Sequence, residues 1–241
     1  MSPPLGPPVS QPTALRPSAV VLEGRTVRLL HLSPEHADQL FLLVGGNDET
    51  KAALWTYMMD GPWSDIETFR AAVTAKSMST DPFFFAIQDS SSGRVVGQLS
   101  LMSIVPGQLR VEIGSVLYSP ALQRSTGATE AVYLLLQYVF ESLGYRRVEW
   151  KCNALNQASQ SAAVRLGFTF EGVFRQHMVV KGRSRDTAWY SILQEEWEQK
   201  HIKESLELWL QESNFDLEGR QRKGLAEIRK ELEHHTRHSD L

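Results

Sequence analysis

Residues 111–131 read VEIGSVLYSPALQRSTGATEA, a passage from β-forming residues through a small polar loop into helical spacing. Val111, Ile113 and Val116 to Tyr118 favour a strand, Ser119-Pro120 ends it, and Ala128 to Phe140 repeats apolar residues at helical intervals. Between them, Gln123 to Ala128 is small, polar and glycine-containing. A loop of this kind opening onto a helix directs unpaired backbone N–H groups at one spot, where the helix dipole also favours negative charge. The expected ligand is a phosphate or pyrophosphate. Two nucleotide loops compete for the stretch and neither fits, because the Walker-A spacing and the Gly-x-Gly-x-x-Gly dinucleotide spacing are both absent.

The loop resembles the acyl-coenzyme A loop of the GNAT superfamily of N-acetyltransferases, whose pattern is Gln/Arg-x-x-Gly-x-Gly/Ala. Gln123-Arg124-Ser125-Thr126-Gly127-Ala128 matches at its first and last positions, with Thr126 where glycine is usual. The resemblance runs from about Leu22 to Trp197 and is nearest the RimJ/RimL-like branch. Glu112-Ile113-Gly114 with Tyr118-Ser119-Pro120 looks like that branch's fourth strand, and Ala128-Thr129-Glu130-Ala131 like the helix start. Asn156-x-x-Ser159 followed by Ala162-Ala163-Val164-Arg165-Leu166-Gly167-Phe168 looks like the next helix and its exit turn.

The resemblance implies an α/β (α+β) fold: a mixed, mostly antiparallel twisted sheet of about seven strands, flanked by helices and splayed between strands four and five. It also implies acetyl-CoA as cosubstrate, with no metal. Acetyl transfer to an amine needs a held donor, a deprotonated amine, a hydrogen-bond donor for the tetrahedral oxyanion and a proton for the departing thiolate. By resemblance, the pyrophosphate sits on Arg124 to Thr129, with Arg124 adding a charge-assisted contact and Thr129 a hydroxyl. The pantetheine arm pairs with Val116 to Tyr118, and an N–H near Leu117 or Tyr118 meets the thioester carbonyl. Glu112 is the expected general base; paired with Arg110 or Lys151, it would instead be an ordinary strand glutamate. Ala163 stands where many members have tyrosine, and the resemblance to the branch's Asn-x-x-Ser implies Ser159 at the thiolate instead. Asn156 is expected to bind the cofactor arm, a role compatible with plain helix capping.

Composition sets outer limits. The chain has 241 residues, 42% apolar and 22% charged, ordinary values for a globular protein able to bury a sizeable core. A formal charge of −3 and the lack of a basic tail or stripe argue against a nucleic-acid partner. Cys152 is the only cysteine, so no intrachain disulfide forms, and no His with Asn or Asp is placed to make it a nucleophile. No apolar run approaches the roughly 20 residues of a membrane helix, and the first residues lack a signal core. The expectation is a soluble, membrane-free cytoplasmic protein, with a nuclear location open.

Six of eleven prolines lie at positions 3, 4, 7, 8, 12 and 17, which reads as a disordered arm over residues 1–18. Such an arm could dock on a partner that reads proline-rich segments. Residues 19–197 read as the catalytic domain. Within it, Ser33-Pro34-Glu35 and the capping box Ser64-x-x-Glu67 announce helices. The segment Leu54 to Trp63 between them is rich in aromatics and methionine; by resemblance it lies over the acceptor pocket, making Trp55, Tyr57, Met58 and Trp63 candidates for substrate contact or for core. Turns at 90–93 and 106–107 divide three strands into a meander, and Lys181-Gly182 joins the last two. Those last strands carry Arg175, His177, Arg185 and Trp189, with Arg175 and Trp189 as expected substrate contacts. No second ligand at helical or hairpin spacing marks His177 for metal. Residues 198–241 read as a charged helical extension covering the sheet or serving a partner, and His234, His235 and His238 as solvated.

The function expected is acetyl transfer to a primary amine of a small molecule or a peptide amino terminus by direct attack in a ternary complex, the alternative being a catalytically weak acyl-CoA-binding regulatory module. Thr126 supports the alternative, because a β-branched residue resists positive φ and crowds an approaching phosphate. A homodimer remains open.

Overall fold

A computed structural model describes residues 3–239, with side chains through 234; His235 and His238 fall outside the described side chains. Eight strands form one sheet in the order β1-β2-β3-β4-β5-β6-β8-β7. They are β1 (Leu22–Glu23), β2 (Val27–His31), β3 (Phe83–Asp89), β4 (Val95–Val105), β5 (Arg110–Tyr118), β6 (Arg147–Asn153), β7 (Thr169–Val180) and β8 (Arg183–Leu193). All neighbours are antiparallel except β5 and β6. The strand beyond the expected seven is the two-residue β1.

The helices cover both faces. On one side lie α1 (Ala37–Val44), α2 (Glu49–Ala53) and α3 (Ile66–Ser77), whose apolar stripes meet Phe84, Ala86, Val95 and Leu117. On the other lie α4 (Thr126–Gln137), continued by a π-helical turn to Ser142, and α5 (Gln157–Leu166). There α6 (Gln194–Gln199), α7 (Ile202–Leu210) and α8 (Leu225–Ser239) join the main core through Trp197, Leu206, Trp209 and Ile228. The cap of α3 is Asp65, whose carboxylate accepts from Thr68 N–H, rather than the expected Ser64. Both residues suit the position, and a one-residue shift brings Phe69 and Val73 onto the core. Gly167 ends α5 at φ +105, the left-handed conformation that glycine adopts without strain.

The proline-rich arm carries contacts in its second half. Ala14 is buried, Leu15 N–H donates to Leu143 O (2.8 Å), and Gln11 Nε2 donates to Gln194 Oε1 (2.8 Å).

The parallel pairing of β5 and β6 is short. It joins Arg110–Ile113 to Arg147–Trp150 and then stops. Between Gly114 and Leu117, β5 holds two residues against one on β4, a bulge in which Ser115 takes φ +50. A bulge bends and twists its strand, so the second half of β5 leaves β6 and a gap opens.

Glu130 ties the start of α4 to the β1–β2 turn. Its carboxylate, 4% exposed, accepts from the N–H groups of Arg25 (2.7 Å), Thr26 (2.6 Å) and Val27 (3.1 Å) and from the Thr26 hydroxyl. Removing the acceptor strands several buried donors, each costing about 1–3 kcal/mol. Glu130→Ala should therefore lose roughly 3 kcal/mol or more in urea unfolding. A loss below about 1 kcal/mol would show that water replaces the carboxylate.

Candidate active site

The gap between β5 and β6 opens into a cleft of about 780 Å³. Its floor is set by register, which places Glu112 beside Glu149 and Lys151 beside Trp189. Side chains alternate across a sheet, so these four share one face. Lys151 Nζ lies 2.8 Å from both Glu112 Oε2 and Glu149 Oε2, and 4.2 Å from the centre of the Trp189 ring. A second bulge, in β4, turns Ser103 so that its hydroxyl donates to the same Glu112 Oε2 (3.0 Å). Both contacts fall on Oε2, and Glu112 is 6% exposed. The pairing with Lys151 considered from sequence is therefore present, in the cleft wall rather than on an open surface.

Glu149 is 4% exposed. Burial alone would push its carboxyl up, but hydrogen bonds from Lys151 and Arg147 outweigh it and hold the group below its ordinary value. Arg147 also clasps Glu171 with two nitrogens, giving a continuous charged row across three strands.

Ser159 approaches from the opposite face. Asn156 caps α5 by accepting from Ser159 N–H (3.1 Å), which sets the serine in the first turn, and Trp150 Nε1 donates to Ser159 Oγ (3.0 Å). With a lone pair held by the indole, the hydroxyl can donate in turn, and the Cys152 sulfur lies within its reach. Burial pushes the neighbouring Cys152 thiol up, as suits an inert strand residue. Glu112, Asn156 and Ser159 thus line one cleft although they come from opposite sides of the sheet.

The other expected residues divide. Tyr57 and Trp189 line the cleft, as do Met58, Met59 and His177. Trp55 does not: it is 0% exposed, donates from Nε1 to Val44 O (2.8 Å) and packs on Phe69 in the core under α1–α3. A large apolar ring with one satisfied N–H fills that layer better than it serves an open pocket. Arg175 is exposed in a bulge of β7 between Phe174 and Met178 and does not line the cleft, whereas His177 does and meets the Thr187 hydroxyl (3.1 Å). Among the described residues no cluster of three His, Cys, Asp or Glu could hold a metal.

At the α4 amino terminus the positive φ falls on Arg124 (+58), and Thr126 is the first helical residue. Thr126 is thus not asked to adopt the conformation that a β-branched side chain resists. Ser125 caps the helix by accepting from Ala128 N–H (3.2 Å), and the N–H groups of Arg124, Thr126 and Gly127 find no internal partner among the described residues. Gly127 is required for packing: a Cβ there would lie 2.7 Å from Val27 Cγ1. Thr129 is buried and its hydroxyl accepts from Arg165. Leu117 is core, the Tyr118 hydroxyl donates to Ala128 O (3.1 Å), and Gln123 Nε2 donates to Tyr118 O (3.2 Å). Free backbone donors at a helix start beside a strand edge with no partner on its β6 side suit a long thioester carrying a pyrophosphate.

The sheet thus parts between β5 and β6, with a helix start carrying free N–H groups and a cleft lined by Glu112 and Ser159. The Acetyltransferase (GNAT) domain family matches residues 26–169, and the chain belongs to this family. A GCN5-related N-acetyltransferase from Brucella melitensis is 44% identical, with a TM-score of 0.87 over 90% of this chain and 97% of that one. An acetyltransferase titled as probable, of the GNAT family, from Chromobacterium violaceum is 38% identical, with a TM-score of 0.74 over 82% of this chain and all (100%) of that one. The Bacillus subtilis (strain 168) protein named "Putative ribosomal N-acetyltransferase YdaF" is 28% identical over 74% of this chain and 96% of its own length. The protein is an acyltransferase of a family that uses acetyl-CoA as cosubstrate.

The sequence marks Lys151 only as a possible partner of Glu112 and does not mark Glu149; the register of β5 against β6 reveals that one ammonium bridges two carboxylates.

Because the Glu149 carboxyl is held below 4.5, its contribution to stability is present at neutral pH and lost as pH falls through the lowered value. Glu149→Gln should flatten the acid limb of the melting-temperature profile as pH falls below the ordinary carboxylate value. A limb of unchanged slope would show that Glu149 is not held in its charged form.

Proposed function

We propose that this acyltransferase moves an acetyl group from acetyl-CoA to a primary amine by direct attack, with both substrates in the cleft. The observation that carries the reading is the convergence of Glu112 and Ser159 on the gap where β5 parts from β6. Acetyl-CoA supplies the activated acetyl group. Arg124, Thr126 and Gly127 would hold its pyrophosphate on backbone N–H groups, with the Arg124 side chain adding charge. The edge from Val116 to Tyr118, with a backbone N–H near Leu117 or Tyr118, would align the thioester arm, and Asn156 lies beside it.

Glu112 takes the proton. An amine at neutral pH is mostly protonated and must lose that proton before it can attack. Lys151 and Ser103 occupy Oε2 and orient the carboxylate, leaving Oε1 to face an incoming ammonium. Ser159 donates a hydrogen bond to the departing sulfur, its own acceptor side being held by Trp150. Tyr57, Met58 and Trp189 form the acceptor wall. A peptide amino terminus is favoured as acceptor by the name of the YdaF relative, and a small-molecule amine fits the same chemistry.

Glu112→Gln should lower kcat by about 10²–10³, in the range of general-base catalysis, and Ser159→Ala by roughly tenfold, the value of one hydrogen bond. Both variants should keep the rise in melting temperature that coenzyme A gives the wild type. Unchanged turnover in both would overturn these roles. Absence of thiol release across a broad amine panel would overturn amine acetylation itself.

A further inference from the structure

Four cations line the cleft, and three of them face carboxylates. Lys76 pairs with Asp60 (2.7 Å), Lys151 with Glu112 and Glu149 (both 2.8 Å), and Arg110 stands 3.9 Å from Glu149. The fourth, Arg185, makes no ion pair among the described residues. Its Nη1 lies 3.5 Å from Met59 Sδ, a weak acceptor, and its Nε is buried without any partner. The adjacent Asp186 is turned away and accepts from Gln176 N–H (2.6 Å).

Arg185 is also not isolated. Positions 185, 187 and 189 alternate onto one face of β8, and all three reach the cleft. Thr187 is engaged by His177, but Trp189 Nε1 is, like Arg185 Nε, a buried donor with no partner. Buried polar groups are nearly always hydrogen-bonded, so an unmatched cation lining the cleft, with a second unpartnered donor on the same strand face, suits an acceptor oxygen that carries charge. The phosphates of the acyl donor are not that group, because none of residues 123–129 lines this cleft.

We infer that Arg185 and Trp189 form a carboxylate-binding subsite, so that the preferred acceptor is an amine that also bears a carboxylate. This rests on the reading of the cleft as the acceptor site. The carboxylate could be the α-carboxylate of an amino acid or the acidic side chain of a residue near a peptide amino terminus. Arg185 is then a specificity residue: it fixes the acid end of the acceptor while Glu112 meets the amine.

The test compares matched acceptors on the full chain: amino acids against their carboxamides, and peptides with Asp or Glu against Asn or Gln at the second position. Initial rates are read by thiol release. The wild type should prefer one carboxylate series at least tenfold in kcat/KM, chiefly through KM, and the series preferred identifies the source. Arg185→Gln should erase that preference while leaving carboxamide turnover and the melting shift with coenzyme A unchanged. Trp189→Phe, which keeps a ring beneath Lys151, should weaken the preference without unfolding the cleft. Equal use of carboxylate and carboxamide twins by the wild type, or an equal loss of both in Arg185→Gln, would overturn the subsite. Melting curves with the N-acetylated amino acids and N-acetylated acidic peptides give a second reading that needs no turnover. If no amine is acetylated but these raise the melting temperature more than their amides, in an Arg185-dependent way, transfer fails and the subsite stands; no preference in either assay overturns it.

Discussion

Two parallel strands that stay paired for only four residues set the terms for the rest of this molecule. Past Ile113 and Trp150, the backbone of β5 loses its partner on the β6 side, and unpaired backbone groups away from water are costly unless something else meets them. The bulge at Ser115 causes the parting, and α5 enters from one side to line the space, held there by the Trp150–Ser159 hydrogen bond. The helix start at Thr126 stands past the end of the same strand, with its own free N–H groups. One irregularity in the sheet thus opens an unpaired strand edge and leads it to a helix start with free N–H groups.

The floor of that space is a charged row, which a sheet can bury only if charges are matched. Lys151 serves two carboxylates, and Arg147 serves Glu149 and Glu171. Removing one member of such a row leaves another charge buried without a counterpart, which is more damaging than the net worth of the pair. The row therefore holds Glu112 in place. Orientation and sheet stability are coupled through a single ammonium. The same matching elsewhere in the cleft is what makes Arg185, which has no ion pair among the described residues, informative.

Much of this was legible in the sequence where local rules dominate. The passage from Val111 to Ala131 has strand, loop and helix signals in unbroken order, and the turns at Ser90–Gly93, Pro106-Gly107 and Lys181-Gly182 separate the strands as observed. Legibility ended where register or packing decides. Trp55 and Tyr57 sit two residues apart in one aromatic-rich segment, and only the hydrophobic layer under α1–α3 sends the first to the core and the second to the cleft. Arg175 and His177 are similarly close, and across the bulge only His177 lines the cleft. The left-handed residue of the loop is Arg124, two positions before Thr126, which no local rule indicates. Proline content marked residues 1–18 as having little to bury, and it could not convey that Ala14 finds a place in the core.

If the acyl donor docks on the β6-side edge of β5, amide hydrogen exchange across Gly114 to Tyr118 should respond to saturating coenzyme A. Amides of this segment should become protected on ligand binding, together with Arg124 to Gly127, while the paired amides of Arg110 to Ile113 are protected in both states. Protection confined to the α4 loop, or spread evenly over the sheet, would contradict it.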